Sequence, residues 1–383
     1  MKNIEINPSA KTEELQVLSK IDDSSNSLKN SKKNSDKSLK KESKYSYLIF
    51  ISKKGLFYFL VFFTAISLAF LIPRLIPGNP LRRMLDPPPG ISDLSAWEEK
   101  IAELTTYFGL DLPPAMQYFL FLANFFMGNL GQSLAYYPQY VVDIVGARLG
   151  YTMLLVVPAV IVTFLLGNWI GARVGYQKGW KNKLGYYISI MLQSAPFFWI
   201  SFVILDFTVI HPLFSGDPLY TWGDAPPKLV IETFLNANAL QDLLEHWIPP
   251  FLVLVVCFSG GWATGMRSLM IYERNSDYIL YCEKLGFKKK KMRRYAMRNC
   301  LLPQMTGLNL RFNEILGATL ITEAVFQWPG LGSLIVYAFE VRDYNLIVGA
   351  FIITILIIVI GNFLIDILYG VVDPRIRIGG GNK

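Results

Sequence analysis

The chain has 383 residues, of which 52% are hydrophobic and only 17% charged, too little charge for a soluble domain of this size. A net charge of +8 fits nucleic acid, an anionic membrane surface or membrane-topology signals, and the placement of the charges decides among them. Three cysteines (Cys257, Cys282 and Cys300) without a CxxC pair, and two histidines (His211 and His246), argue against a disulfide framework or a zinc site.

Residues 1–45 are a basic tail dominated by Lys, Ser, Asn, Asp and Glu. Such a segment buries too little apolar surface to offset its ordering entropy and is expected to be disordered. The first long apolar run follows about fifty residues in, too deep for a signal peptide, and reads as a retained span. A helix needs roughly 20 apolar residues to cross a bilayer. Six runs come near that length: Gly55–Ile72, Leu149–Ile170, Leu184–Leu205, Trp247–Met266, Thr306–Val325 and Leu346–Leu368. Charges interrupt the fifth. The expected fold is all-α and polytopic, with about six transmembrane helices. Residues 46–148 hold the first span and an external helical region, and residues 149–377 the other five.

Within the external region, Ser95 and Glu98 have capping-box spacing. Ile101, Leu104 and Phe108 follow at helical intervals, predicting a short helix there. Lys and Arg cluster before the first span, between the second and third, between the fourth and fifth, and after the sixth. With six spans all of these fall on one side, so both termini are expected in the cytoplasm. The basic balance is then a topology signal, which removes nucleic acid as a partner and leaves membrane lipid.

The stretch 275–303 between the fourth and fifth spans is the most informative. Ser276 or Asp277 can cap a short helix, and Gly286 is placed to end it in a left-handed turn. A second, basic helix then runs to Pro303, near which the next span begins. A short helix across the membrane face suits docking in a partner's groove, and a polybasic segment suits anionic head groups equally well.

From Ser276 to Arg377 the chain resembles the permease subunits of peptide/nickel-type ABC importers, the oligopeptide and dipeptide permease family. Asp277-Tyr278, Gly286, Arg298-Asn299 and Leu302-Pro303 match that family's ATPase-coupling loop. Glu323 to Gly332, Arg342-Asp343-Tyr344, Asp366 to Tyr369 and Asp373 to Arg377 match further signatures. Upstream, Arg74 to Pro80, Phe108 to Asp111, Gly128 to Gly131 and Ser194 to Trp199 are similar to its other segments. Leu280, Tyr281 and Cys282 depart from the Glu-Ala-Ala of the wider superfamily.

The resemblance implies a type I ABC importer permease in the cytoplasmic (inner) membrane. Its partners would be a second homologous permease, two ATPase subunits and an extracytoplasmic substrate-binding protein. The implied coupling residues are Asp277, Tyr278, Tyr281, Cys282, Glu283, Gly286, Arg298, Asn299 and Pro303. The implied substrate is a small peptide, with oligosaccharides or nickel chelates as alternatives. No GxxxxGK[ST] loop occurs, so this chain is expected to hold no cofactor, ATP being bound by the partner ATPases, and to be no enzyme. Arg311 and Glu314, at i, i+3 in the fifth span, can pair on one helix face; the readings are a translocation-path lining, a neutralised structural pair, or a helix end shifted into the interface. Glu323 and Trp328, near its outer end, are expected at an external gate or at the membrane interface. A self-contained secondary transporter and a non-transporting membrane scaffold are the competing readings.

Overall fold

The computed structural model describes residues 49–71, 111–210 and 237–372, apart from Leu134 and Lys178, with isolated positions between 99 and 106. The tail 1–45, the Ser95/Glu98 capping box with Ile101, Leu104 and Phe108, the Arg74–Pro80 segment and the Asp373–Arg377 segment lie outside the described residues. The chain divides into a unit Tyr58–Asp366 and a unit of residues 1–57 with 367–383. Every contact below lies within Tyr58–Asp366.

Eleven helices carry the described chain: α1 Ile49–Leu71, α2 Pro114–Phe126, α3 Val141–Tyr176, α4 Trp180–Ser194, α5 Phe197–Ile210, α6 Ala237–Arg274, α7 Asp277–Lys284, α8 Lys289–Thr306, α9 Leu308–Val325, α10 Leu331–Glu340 and α11 Tyr344–Val372. Among the described residues no strand forms; Gln132 and Tyr140 make one isolated antiparallel bridge.

Four helices (α1, α3, α6 and α11) are long and apolar enough to cross a membrane, or five if α4 and α5 count as one broken span. The expected third span is therefore not a single rod. It bends by 100° between α4 and α5. The cause is local: Ala195 precedes Pro196 and is extended, with φ −72° and ψ 133°, because the proline ring excludes the helical region for the residue before it. The expected fifth span forms as α9. Arg311, Glu314 and Glu323 on its 18 residues keep it out of the apolar set.

α3 and α6 cross through a seam of small residues. A Cβ on Gly167 would lie 2.5 Å from the Ser259 carbonyl oxygen, and one on Gly175 would lie 2.7 Å from that of Arg267. Gly171 meets Ala263 in the same way between them. Both helices thus present positions four apart, the spacing that lets two backbones approach closely inside a membrane.

Three apolar clusters are built along α3. Val145, Leu334 and Leu346 join the start of α3 to α10 and α11. Leu155, Leu254, Ile315 and Trp328 join the middle of α3 to α6 and α9. Ala172, Met270, Ile279, Met292 and Cys300 bind the ends of α3 and α6 to α7 and α8. Helices α7 and α8 therefore sit at one end of the bundle. The start of α3 and the α10–α11 turn lie at the other.

Candidate functional site: a surface helix pair and two carboxylates on one span

The turn between α6 and α7 is built on backbone bonds. Ser276 stands at the N-cap of α7 with φ −72° and ψ 150°. The expected side-chain cap is not made. The Ser276 hydroxyl donates backward to the Glu273 carbonyl at 2.7 Å, so its proton is committed to the preceding turn. Asp277 lies in the first turn, where its charge favours the helix dipole.

Past the other end, Gly286 has φ +76°, and the amide of Phe287 donates to the Cys282 carbonyl at 3.1 Å. This is the left-handed glycine termination the sequence predicts. The basic helix runs further than expected. Pro303 lies inside α8, which ends at Thr306.

A polar lock ties the pair to α6. The Tyr278 hydroxyl donates to Glu273 Oε1 at 2.5 Å. Asn299 Nδ2 donates to the same Oε1 at 3.0 Å and to the Tyr278 hydroxyl at 3.0 Å. Burial and then the Glu273 hydrogen bond and charge push the Tyr278 phenol up to about 12. Tyr278 and Asn299 were both expected at the site. Glu273, which gathers them, was not, though it is the acid that interrupts an otherwise basic stretch.

One face of α7 is committed inward. Ile279 is buried, and Cys282 packs beside it. The outer side is open: Tyr281 is 64%, Leu285 55% and Leu280 46% exposed. Asp277, Glu283 and Arg298 are exposed around this patch. The arrangement is an apolar knob on a stiff base.

On α9, Arg311 Nη1 donates to Glu314 Oε2 at 2.7 Å, as the spacing predicts. Their side chains keep 26% and 39% exposure. Leu310, Asn313, Gly317 and Ile321 are exposed along the same helix.

Glu323 and Trp328 are both fully buried. Glu323 Oε2 accepts from the Gly332 amide at 2.7 Å. Trp328 Nε1 donates to the Tyr151 carbonyl at 3.0 Å. The Leu331 amide donates to Thr152 Oγ1 at 2.8 Å. The chain from Glu323 to Gly332 is thus folded back onto α3. Asp343 serves the next turn: it accepts from Ser133 Oγ at 2.5 Å, from the Ala135 amide at 3.1 Å and from the Leu346 amide at 3.0 Å.

Residues 167–378 match the family described as binding-protein-dependent transport system inner membrane component. The chain is 29% identical over 311 residues to the oligopeptide transport system permease protein AppB of Bacillus subtilis, covering 81% of this chain and 93% of that relative. It is 28% identical to the probable D,D-dipeptide transport system permease protein DdpB of Escherichia coli, covering 82% and 93%. It is 26% identical to the glutathione transport system permease protein GsiC of Salmonella paratyphi A, covering 81% and 92%.

Proposed function

Because the chain belongs to the family of binding-protein-dependent transport system inner membrane components, we propose that it is a permease subunit of an ATP-driven importer of small peptides. The observation that carries this reading is the exposed apolar face of α7, Leu280, Tyr281 and Leu285, mounted on the Glu273–Tyr278–Asn299 lock. A partner ATPase that grips this knob moves α6, because Ile279 and the lock leave α7 no independent freedom. Asp277, Glu283 and Arg298 supply charge at the rim, and Gly286 sets the angle between α7 and α8. The Lys and Arg placement supports a cytoplasmic position for this end of the bundle.

The exposed charges of α9 support two further parts of the reading. An ionised pair on a membrane helix faces a cavity or another protein rather than lipid. A second permease facing α9 would enclose a path lined by Arg311 and Glu314. The oligopeptides, D,D-dipeptides and glutathione in the relatives' names share peptide bonds and ionised termini, and a path with both charges suits such solutes. An extracytoplasmic binding protein would deliver them, and ATP would be bound by the partner ATPases.

The test is a tagged purification from native membranes in mild detergent, with every co-purifying chain identified. Recovery of a second permease-like chain and ATPase subunits is expected. Recovery of the chain alone, with uptake that needs no ATP, would replace this reading with a secondary transporter.

A further inference from the structure

The Arg311–Glu314 pair has a built floor. A Cβ on Gly261 of α6 would meet Arg311 Nη2 at 2.7 Å and Cζ at 2.8 Å. The guanidinium therefore reaches from α9 across to α6 and rests where any larger residue would displace it. One turn on, a Cβ on Gly265 would meet Gln304 Nε2 at 2.8 Å. On the neighbouring side of α6, the Thr264 hydroxyl donates to the Gly260 carbonyl at 2.9 Å and lies 3.3 Å from Gln193 Oε1. Helices α4, α6, α8 and α9 thus bring Gln193, Thr264, Gln304, Arg311 and Glu314 around one short stretch of α6. The stretch offers one cation, one anion and neutral hydrogen-bonding groups, in a part of the chain where charge is costly.

Part-exposed and 2.7 Å apart, the two charges can be reached from outside, and opening the pair costs least when both find new partners at once. A solute bearing a carboxylate and an ammonium supplies both: the carboxylate takes Arg311, the ammonium takes Glu314, and no charge is left alone. A solute with one terminus blocked strands one member of the pair. A neutral sugar gives no exchange at all. We infer that Arg311 and Glu314, seated by Gly261, form a station that favours zwitterionic peptides with two free termini over singly blocked peptides and neutral sugars. The inference rests on the peptide-permease reading and adds selectivity to this chain, separate from that of any delivering protein.

The test uses the whole transporter, with its ATPases and binding protein, in proteoliposomes, and three probes: trialanine, its C-terminal amide and its N-acetyl form. The quantity read is the ratio of trialanine uptake to that of each blocked form, with one binding protein throughout, so that the delivering protein's own preference cancels between variants. In the Arg311→Gln/Glu314→Gln double variant both ratios are expected to fall by about tenfold. Gly261→Ala moves the guanidinium without altering charge and is expected to shift the ratio for the C-terminal amide in the same direction. Ratios unchanged in both variants would overturn the station while leaving the peptide reading intact. Equal loss of all three probes with loss of the co-purifying permease would also overturn it, assigning the pair to subunit contact. Failure of the unaltered transporter to take up any of the three would bring down the peptide reading and this inference together.

Discussion

Glu314 and Glu323 stand on one helix, and the fold gives them opposite surroundings. Glu323 is fully buried and holds the Gly332 amide. Glu314 is half-exposed and holds only a neighbour on its own helix. Glu273, at the end of α6, lies between the two, part-buried and shared by Tyr278 and Asn299. The difference separates a carboxylate that builds the fold from one left available to something outside the chain. Residue type and membrane depth alone would not distinguish them.

The comparison can be broken most directly at its buried end. Glu323→Ala leaves the Gly332 amide without its acceptor inside the bundle, an expected loss of about 2 kcal/mol, read by thermal unfolding of the purified protein in detergent. Glu323→Gln keeps an acceptor for Gly332 and should lose less. If Glu314→Ala proves as damaging to stability as Glu323→Ala, the distinction fails.

A smaller effect is expected from Trp328→Phe. It keeps most of the buried ring but removes the bond to the Tyr151 carbonyl, for about 1 kcal/mol in the same assay.

At the exposed end, stability should barely change, since pairs of this exposure contribute roughly 0–1 kcal/mol. Transport is the sharper readout. Arg311→Ala and Glu314→Ala are each expected to reduce uptake more than the double change, because each strands a charge in the membrane. Simple additivity of the two would show that they do not act as a pair.

The smallest effect should come from Tyr278. Its phenol is raised from 10 to about 12, so the folded state holds the proton more tightly than the unfolded one. The stabilisation is complete below pH 10 and disappears as pH climbs from 10 to 12. Tyr278→Phe should remove that part of the alkaline loss, measured as the pH dependence of unfolding. An identical profile in both proteins would mean the lock adds nothing.

Features set by neighbours in sequence were legible in advance. Gly286 ends α7 because a left-handed residue is a local requirement, and Arg311 finds Glu314 because i, i+3 positions share a helix face. The apolar runs located the spans because bilayer thickness sets their length. What escaped depends on distant partners. Glu323 read as a residue for a gate or interface because nothing near it in sequence names Gly332 as its companion. The break at Ala195-Pro196 and the Gly167, Gly171, Gly175 seam carried visible signals, a pre-proline residue and a four-residue repeat of small side chains. Each was hidden inside a run whose overall hydrophobicity suggested a plain span. Glu273 had only its sign against it in a basic stretch, and its role needed two residues from beyond the turn.

Helix α6 is 38 residues long and contains Pro249 and Pro250. At 1.5 Å per residue it measures about 57 Å, nearly twice the roughly 30 Å of a bilayer's hydrocarbon core. The paired prolines remove two consecutive helical bonds about a third of the way along. The remaining two-thirds, about 36 Å, carries the face that meets the α3 glycines, the seat of Arg311 and the Glu273 lock without another proline. A swing of about 10° about the prolines would carry Glu273 roughly 6 Å but Gly261, half as far from the pivot, roughly 3 Å. The same rod would thus gear a large stroke at the surface down to a fine one beside the charge pair.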